Sequence, residues 1–189
     1  MILYHGTDFE SAKNICTGID LKCGSSTVDF YRGFYTTDNK YIAIKWAERK
    51  TMFCRKCSTA AVVSFKVPND FYNDAGVKVR IFKVADLEWA QFIVNNRLGK
   101  DYINSISSHL QENNIDLQYD ICIGPIADGI ISKICGDINI HKRPVDNKIL
   151  KELISKDYGV QYSFHNEEVK RYLQNARLNI IKKGELKPC

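Results

Sequence analysis

Two stretches, Tyr4-His5-Gly6-Thr7 and Gly33-Phe34-Tyr35-Thr36-Thr37-Asp38-Asn39-Lys40-Tyr41, decide how this chain is read. The first closes an apolar alternation, Ile2 to Tyr4, with the period of a half-buried strand. Asp8 stands where an N-cap belongs, and Ala12 and Ile15 carry a helical face that Gly18 stops. A polar loop comes next, Lys22 to Asp29, broken by Gly24, Ser25 and Ser26. Strand character returns from Phe30 to Thr36, and Thr37 or Asp38 is placed to cap the next helix. On that helix Tyr41, Ile44 or Lys45 and Glu48 share one side, while Ile42, Trp46 and Arg49 share another.

Working outward, Ala60 to Val67 is rich in Val and closes at Pro68, and Val77 to Phe82 alternates. Both are strand candidates, expected to pair across the turn-rich Asn69 to Gly76. Val84 to Leu98 has helical spacing with Gly99 as its stop, and Tyr102 to Leu110 is a weaker helix. Asp120 to Ile123 predicts a short strand, Ile126 to Cys135 and Asn147 to Lys156 predict helices, and Gly159 to Phe164 predicts a strand. Asn166 can cap a helix over Glu167 to Gln174, with Leu178 to Ile181 as a last strand. Strands and helices interleave without repeat or linker, so residues 1–189 are expected to form a single α+β domain.

Composition narrows the function classes. With 44% apolar and 26% charged residues, the 189-residue chain suits one core. No window approaches the roughly 18 apolar residues of a membrane span, and the N-terminal residues lack a basic region before an apolar one. A cytoplasmic protein without membrane contact is the expectation. The seven cysteines are odd in number and scattered, unlike a secreted disulfide framework. Cys54 and Cys57 have the spacing of half a zinc site, but no second pair completes four ligands, so no metal is expected. A net charge of +5 permits an acidic or nucleic-acid partner without requiring one.

Alone, Tyr-His-Gly-Thr is also what a strand end with a turn glycine looks like. In combination with the Gly33 to Tyr41 run, it resembles the catalytic domain of diphtheria-toxin-type ADP-ribosyltransferases. The resemblance implies a fold of split antiparallel sheets with surrounding helices, and NAD as the bound substrate. It implies that His5 bonds the adenosine ribose, that Gly6 offers backbone to the nicotinamide carboxamide beside Thr7, and that Tyr35 is the first aromatic of a nicotinamide sandwich. Glycine admits close backbone approach, and an aromatic face attracts a cationic pyridinium while excluding water. Trp46, eleven residues after Tyr35, falls where the family has its second aromatic; it serves equally as a core residue, and Tyr41 competes for the role.

The family's third element is a glutamate on a later strand. The matching run here is Val160-Gln161-Tyr162, so Gln161 stands at that position. Glycosidic cleavage of NAD develops an oxocarbenium cation that a nearby carboxylate stabilises. Gln161 can accept the ribose hydroxyl hydrogen but brings a dipole instead of a charge, and a charge-assisted bond is roughly twice as strong as a neutral one. The chemical step is then expected to be slower unless another anion contributes; Glu167 and Glu168 are near in sequence, although a solvated helical turn suits them.

The chain also resembles a bacterial domain family that shares the first two elements and has glutamine at the third. Its pattern is met by Trp89, Phe92 and Arg97 on one helix, by Ile123 to Asp128, and by Gln161 to Phe164. Arg97 and Asp128 are candidates for pyrophosphate and acceptor contacts respectively, and each is equally a candidate for a buried salt bridge or a helix cap. The resemblance implies catalytic His5, Tyr35 and Gln161, with Gly6, Thr7, Tyr41 and Trp46 completing the NAD site. The acceptor is a macromolecule, protein, DNA or RNA. By analogy the setting is a resident toxin held by an antitoxin protein, or a phage-defence effector; a silent NAD-binding module or an NAD glycohydrolase is the alternative.

Overall fold

The computed structural model describes residues 1–53, 59–106, 111–127, 129–154 and 159–181. Strand β1 (Ile2–Asp8) leads into helix α1 (Phe9–Thr17), and β2 (Phe34–Thr37) leads into α2 (Lys40–Phe53). Strands β3 (Ala60–Lys66) and β4 (Val79–Ile81) precede α3 (Leu87–Leu98) and the short α4 (Lys100–Ser105). Strand β5 (Ile121–Pro125), helices α5 (Ile131–His141) and α6 (Asn147–Leu153), and strands β6 (Val160–Phe164) and β7 (Gln174–Ile180) complete the order. The expected α+β class is observed. Among the described residues no helix is long and apolar enough to cross a membrane.

The seven strands form one sheet in the order β4-β5-β6-β2-β1-β3-β7. All neighbours are antiparallel except β4 and β5. Its two halves are joined weakly. Strands β1 and β3 are in register along seven residue pairs, from Ile2–Lys66 to Asp8–Ala60, whereas β1 and β2 share only Tyr4–Thr37. Beyond that pair the ladder stops and the strands part. One side of the sheet buries Leu3, Phe34, Ile121, Tyr162 and Phe164; the other buries Phe30, Phe92, Cys122, Ile131 and Ile138 under α3, α5 and α6.

Several sequence expectations are corrected. The first strand runs through Asp8 instead of stopping at Tyr4, so Gly6 lies inside a ladder and not at a turn. Phe30 to Gly33 is turn, because the Tyr35 hydroxyl donates to the Tyr31 carbonyl (2.7 Å) and accepts from the Phe30 amide (2.9 Å), folding that segment back on β2. Neither Thr37 nor Asp38 caps α2; the Asn39 carboxamide accepts from the amides of Tyr41 and Ile42. Strands β3 and β4 do not pair: β3 is held by β1 and β7, and β4 lies parallel to β5 at the other edge. Asp86 caps α3 through the Trp89 amide, so that helix begins at Leu87. Ile126 and Ala127 are extended and α5 begins at Ile131. Asn166 does accept from the Val169 amide, but the element it opens is a 3-10 turn, Glu168–Tyr172, and the last strand starts at Gln174.

Gly6 shows why the halves stay together. A Cβ built there would lie 1.8 Å from the Ala43 carbonyl oxygen, so α2 rests directly on the β1 backbone. Ala43 and Ala47, both fully buried, complete this close crossing. Gly6→Ala therefore forces α2 away from the sheet, and a loss of about 3 kcal/mol or more is expected. Urea denaturation measures it; a variant within experimental error of wild type would contradict the contact.

Candidate functional site

Pleating assigns the site residues to two faces. Gln161 and Ser163 are two apart on β6 and Tyr35 lies opposite Ser163, so Tyr35 and Gln161 share a face. Phe34 lies on the other, where His5 stacks on its ring at 4.5 Å. Two cavities correspond to these faces.

The larger, about 560 Å³, is lined by Tyr35, Trp46 and Gln161, with Ile42, Ile126 and Ile131 as apolar wall. The second, about 340 Å³, is lined by His5, Thr7, Phe34, Tyr35 and Lys50. Both volumes fall within the roughly 300–1,000 Å³ of small-molecule sites. Tyr35 and Val28 belong to both, so the cavities adjoin at these two residues.

At the parting of the strands, the His5 Nδ1 lies 2.6 Å from the Tyr35 carbonyl oxygen. A carbonyl only accepts, so Nδ1 carries the proton and neutral His5 keeps a lone pair on Nε2. That Nε2 has no partner among the described residues. Burial, working against the bond to Tyr35, lowers His5 from 6.5 to about 4. The imidazole is therefore a neutral acceptor at physiological pH, suited to a hydroxyl donor. Beside it Lys50 donates to Thr7 Oγ1 (2.7 Å) and pairs with Asp8 (3.0 Å).

Helix α2 supplies one wall of the larger cavity. Ile42, Lys45, Trp46 and Arg49 follow helical spacing and all line it, with Trp46 half-buried. Tyr41, one turn before Lys45, lines neither cavity; it is 41% exposed, with Lys45 Nζ 4.3 Å from its ring centroid. Of the two competing aromatics, Trp46 and not Tyr41 faces Tyr35's cavity. Gly6 lines neither cavity, since α2 covers its Cα.

Gln161 is 3% exposed, and its Nε2 donates to Asp29 Oδ2 (2.7 Å) and the Pro125 carbonyl (3.2 Å). Both partners are acceptors, which fixes the amide: nitrogen inward, Oε1 without a partner among the described residues, at a cavity wall. Nothing in the sequence marks Asp29 as a site residue. It is 6% exposed and lines the cavity, and its Oδ1 accepts from Arg97 Nε (2.9 Å) and Nη2 (2.7 Å). Arg97 thus forms a largely buried salt bridge, one of the roles its place in the sequence leaves open. Glu167 and Glu168 are exposed and line neither cavity; Glu167 pairs with Lys170. Lys45, Arg49 and Arg97 against Asp29 give this cavity an excess of positive charge among the described residues, which favours an anionic ligand.

Among the described residues no three His, Cys, Asp or Glu side chains cluster as metal ligands. Cys54, Cys57 and Asp128 lie outside the described residues.

A second buried histidine, His165, accepts at Nε2 from the Ser163 hydroxyl (2.9 Å) and donates from Nδ1 to the Arg32 carbonyl (2.9 Å). Burial, opposed by the Arg32 bond, lowers it too to about 4. Between pH 6.5 and 4 the unfolded chain therefore binds protons that the folded protein excludes at His5 and His165, and stability falls as pH drops through this window. The urea midpoint is expected to decline over that range, and His165→Gln to shallow the decline. An unchanged slope in the variant would show that His165 is not excluding a proton.

A protein-family model described as "Protein of unknown function (DUF3990)" matches residues 1–175, from the first strand through the last strand's start. No curated protein and no solved structure matches. The match takes in both cavities and every candidate residue, and the chain belongs to the DUF3990 family.

Proposed function

We propose that this protein is a mono-ADP-ribosyltransferase that binds NAD across the two adjoining cavities and transfers its ADP-ribose to a macromolecule. The observation that carries the proposal is convergence: Tyr35, Trp46 and Gln161, from three separate elements, line one cavity, and His5 and Thr7 line the one that adjoins it at Tyr35. The parting of β1 and β2 after Tyr4–Thr37 supports the ADP-ribosyltransferase-like split sheet.

Nicotinamide then occupies the larger cavity between Tyr35 and Trp46, and adenosine lies beside His5, whose Nε2 accepts a ribose hydroxyl hydrogen. Gly6 packs beneath α2 and lines neither cavity, and its part in the site is to let α2 approach the sheet. Gln161 Oε1 accepts from a hydroxyl of the nicotinamide ribose. The bond from ribose C1′ to nicotinamide nitrogen breaks and its electron pair leaves with neutral nicotinamide. An acceptor heteroatom then attacks C1′ and sheds its proton. The cation formed at C1′ lies near Gln161 and, behind it, the Asp29 carboxylate. Lys45 and Arg49 suit the pyrophosphate.

Protein, DNA and RNA acceptors all fit a net charge of +5. The biological setting that fits is a cytoplasmic toxin held by an antitoxin protein, or a phage-defence effector; both are analogies. The amide at position 161 favours a second reading, an NAD-binding module without turnover.

Incubation with NAD labelled in the adenosine, together with lysate, separates them. Transfer predicts nicotinamide release and labelled macromolecule. Trp46→Ala, which removes one wall without touching the Tyr35 hydrogen bonds, is expected to lower release by about a hundredfold. Free ADP-ribose alone would indicate hydrolysis. NAD binding with no release would replace transfer by the binding module.

A further inference from the structure

Gln161 does not stand alone. Its Nε2 is held by Asp29 Oδ2, while the other Asp29 oxygen takes both Arg97 bonds. All three side chains line the same cavity. The contacts join residues 68 and 132 positions apart in the chain, so they are a product of the tertiary fold. The Pro125 carbonyl that also receives Gln161 Nε2 accepts Trp89 Nε1 as well, at 3.1 Å. That carbonyl is satisfied whether or not Gln161 reaches it.

We infer that Asp29 is the positioning residue of this site: its carboxylate, pinned by Arg97, turns the Gln161 amide so that an acceptor oxygen faces the ligand, and Asp29 and Gln161 together act as one carboxylate–carboxamide unit. The inference rests on the NAD reading above. The negative charge expected at position 161 stands one residue further back, on Asp29, and reaches the cavity through the amide. A carboxylate accepting N–H polarises the amide and increases the negative character of its oxygen.

Each substitution then has a definite consequence. In Asp29→Asn, Oδ1 can keep both Arg97 bonds, which leaves the new NH2 facing the NH2 of Gln161. Two donors repel, and Gln161 rotates to offer its oxygen inward. The cavity then meets a donor where it had an acceptor. In Gln161→Glu, two carboxylates face each other at the position of a 2.7 Å contact, and one of them must hold a proton. Introducing a glutamate at this position alone is therefore harmful in this chain. In the double variant, the amide introduced at position 29 gives its oxygen to Arg97 and its NH2 to the carboxylate introduced at position 161, while the Pro125 carbonyl keeps its bond from Trp89 and the new carboxylate oxygen must draw back from it, acceptor against acceptor. The unit is rebuilt with its ends exchanged and a carboxylate at the cavity.

The test is nicotinamide release and NAD affinity at about pH 7.5 for wild type, Asp29→Asn, Gln161→Glu and the double variant, with melting temperatures for all four. Each single variant is expected to lose about a hundredfold in kcat, the scale of a misplaced reacting group, with a smaller change in KM. The double variant is expected to recover to within about tenfold of wild type or better. In Gln161→Glu, kcat is expected to acquire an ionisation raised by the facing carboxylates, and in the double variant that ionisation is expected to fall back to lower pH. A purely structural role for Asp29 would move melting temperature and kcat together and would give no rescue.

If Asp29→Asn does not fold, Gln161→Glu and the double variant carry the comparison alone. A Gln161→Glu enzyme faster than wild type, or a double variant slower than both single variants, would overturn the inference. So would Asp29→Asn with wild-type kcat. A wild-type protein that releases no nicotinamide overturns the NAD reading itself, and the role of Asp29 in it, which separates that failure from failure of the pair alone.

Discussion

The bond from the His5 imidazole to the Tyr35 carbonyl spans the place where β1 and β2 come apart. A seven-stranded sheet whose two halves share one residue pair would otherwise lose its continuity there. The side chain takes over from the backbone ladder, and in doing so it fixes its own tautomer and leaves Nε2 as an acceptor. Helix α2 secures the same junction from the other face by resting on Gly6. The opening between the halves is narrow enough to be bridged by one histidine and wide enough to adjoin two cavities.

The polarity of the larger cavity follows from burial. Asp29 is nearly inaccessible, and a buried carboxylate needs compensation from charge and hydrogen bonds. Arg97 occupies one oxygen and Gln161 the other. Because those demands use the whole carboxylate, the groups left to meet a ligand among the described residues include the Gln161 carbonyl oxygen, the Ser132 hydroxyl, the Tyr35 and Trp46 side chains and the cations of α2. Together they make a cation-rimmed site with apolar walls and an acceptor oriented at Gln161. This arrangement suits an anionic ligand carrying a flat ring and a hydroxyl-bearing sugar.

Much of this is legible in the sequence, for identifiable reasons. Period-3.6 spacing puts Ile42, Trp46 and Arg49 on one side of α2, and that side faces the cavity. The apolar runs around Phe34 and Gln161 put Tyr35 and Gln161 in strands. The features that escape depend on long-range contacts. The turn-rich segment after Pro68 suggests a hairpin, but β4 is recruited by β5 more than forty residues on, which no local pattern encodes. Asn39 takes the cap, and the Thr37 hydroxyl is engaged one step earlier by the Asn39 amide. Asp29 lies at the end of a polar loop with no motif around it, and it is held by long-range contacts from Asn96, Arg97 and Gln161. Gly6 is legible as a site of close approach, yet what approaches it is a helix.

A crystal structure of the protein with NAD tests most directly whether the two cavities form one NAD site organised around Tyr35. The predicted result is the nicotinamide ring against Tyr35 and Trp46, the Gln161 carbonyl oxygen within hydrogen-bond reach of the adjacent ribose, and the adenosine beside His5. Ordered NAD bound elsewhere on the protein, or a cleft that stays empty at saturating NAD, would contradict it.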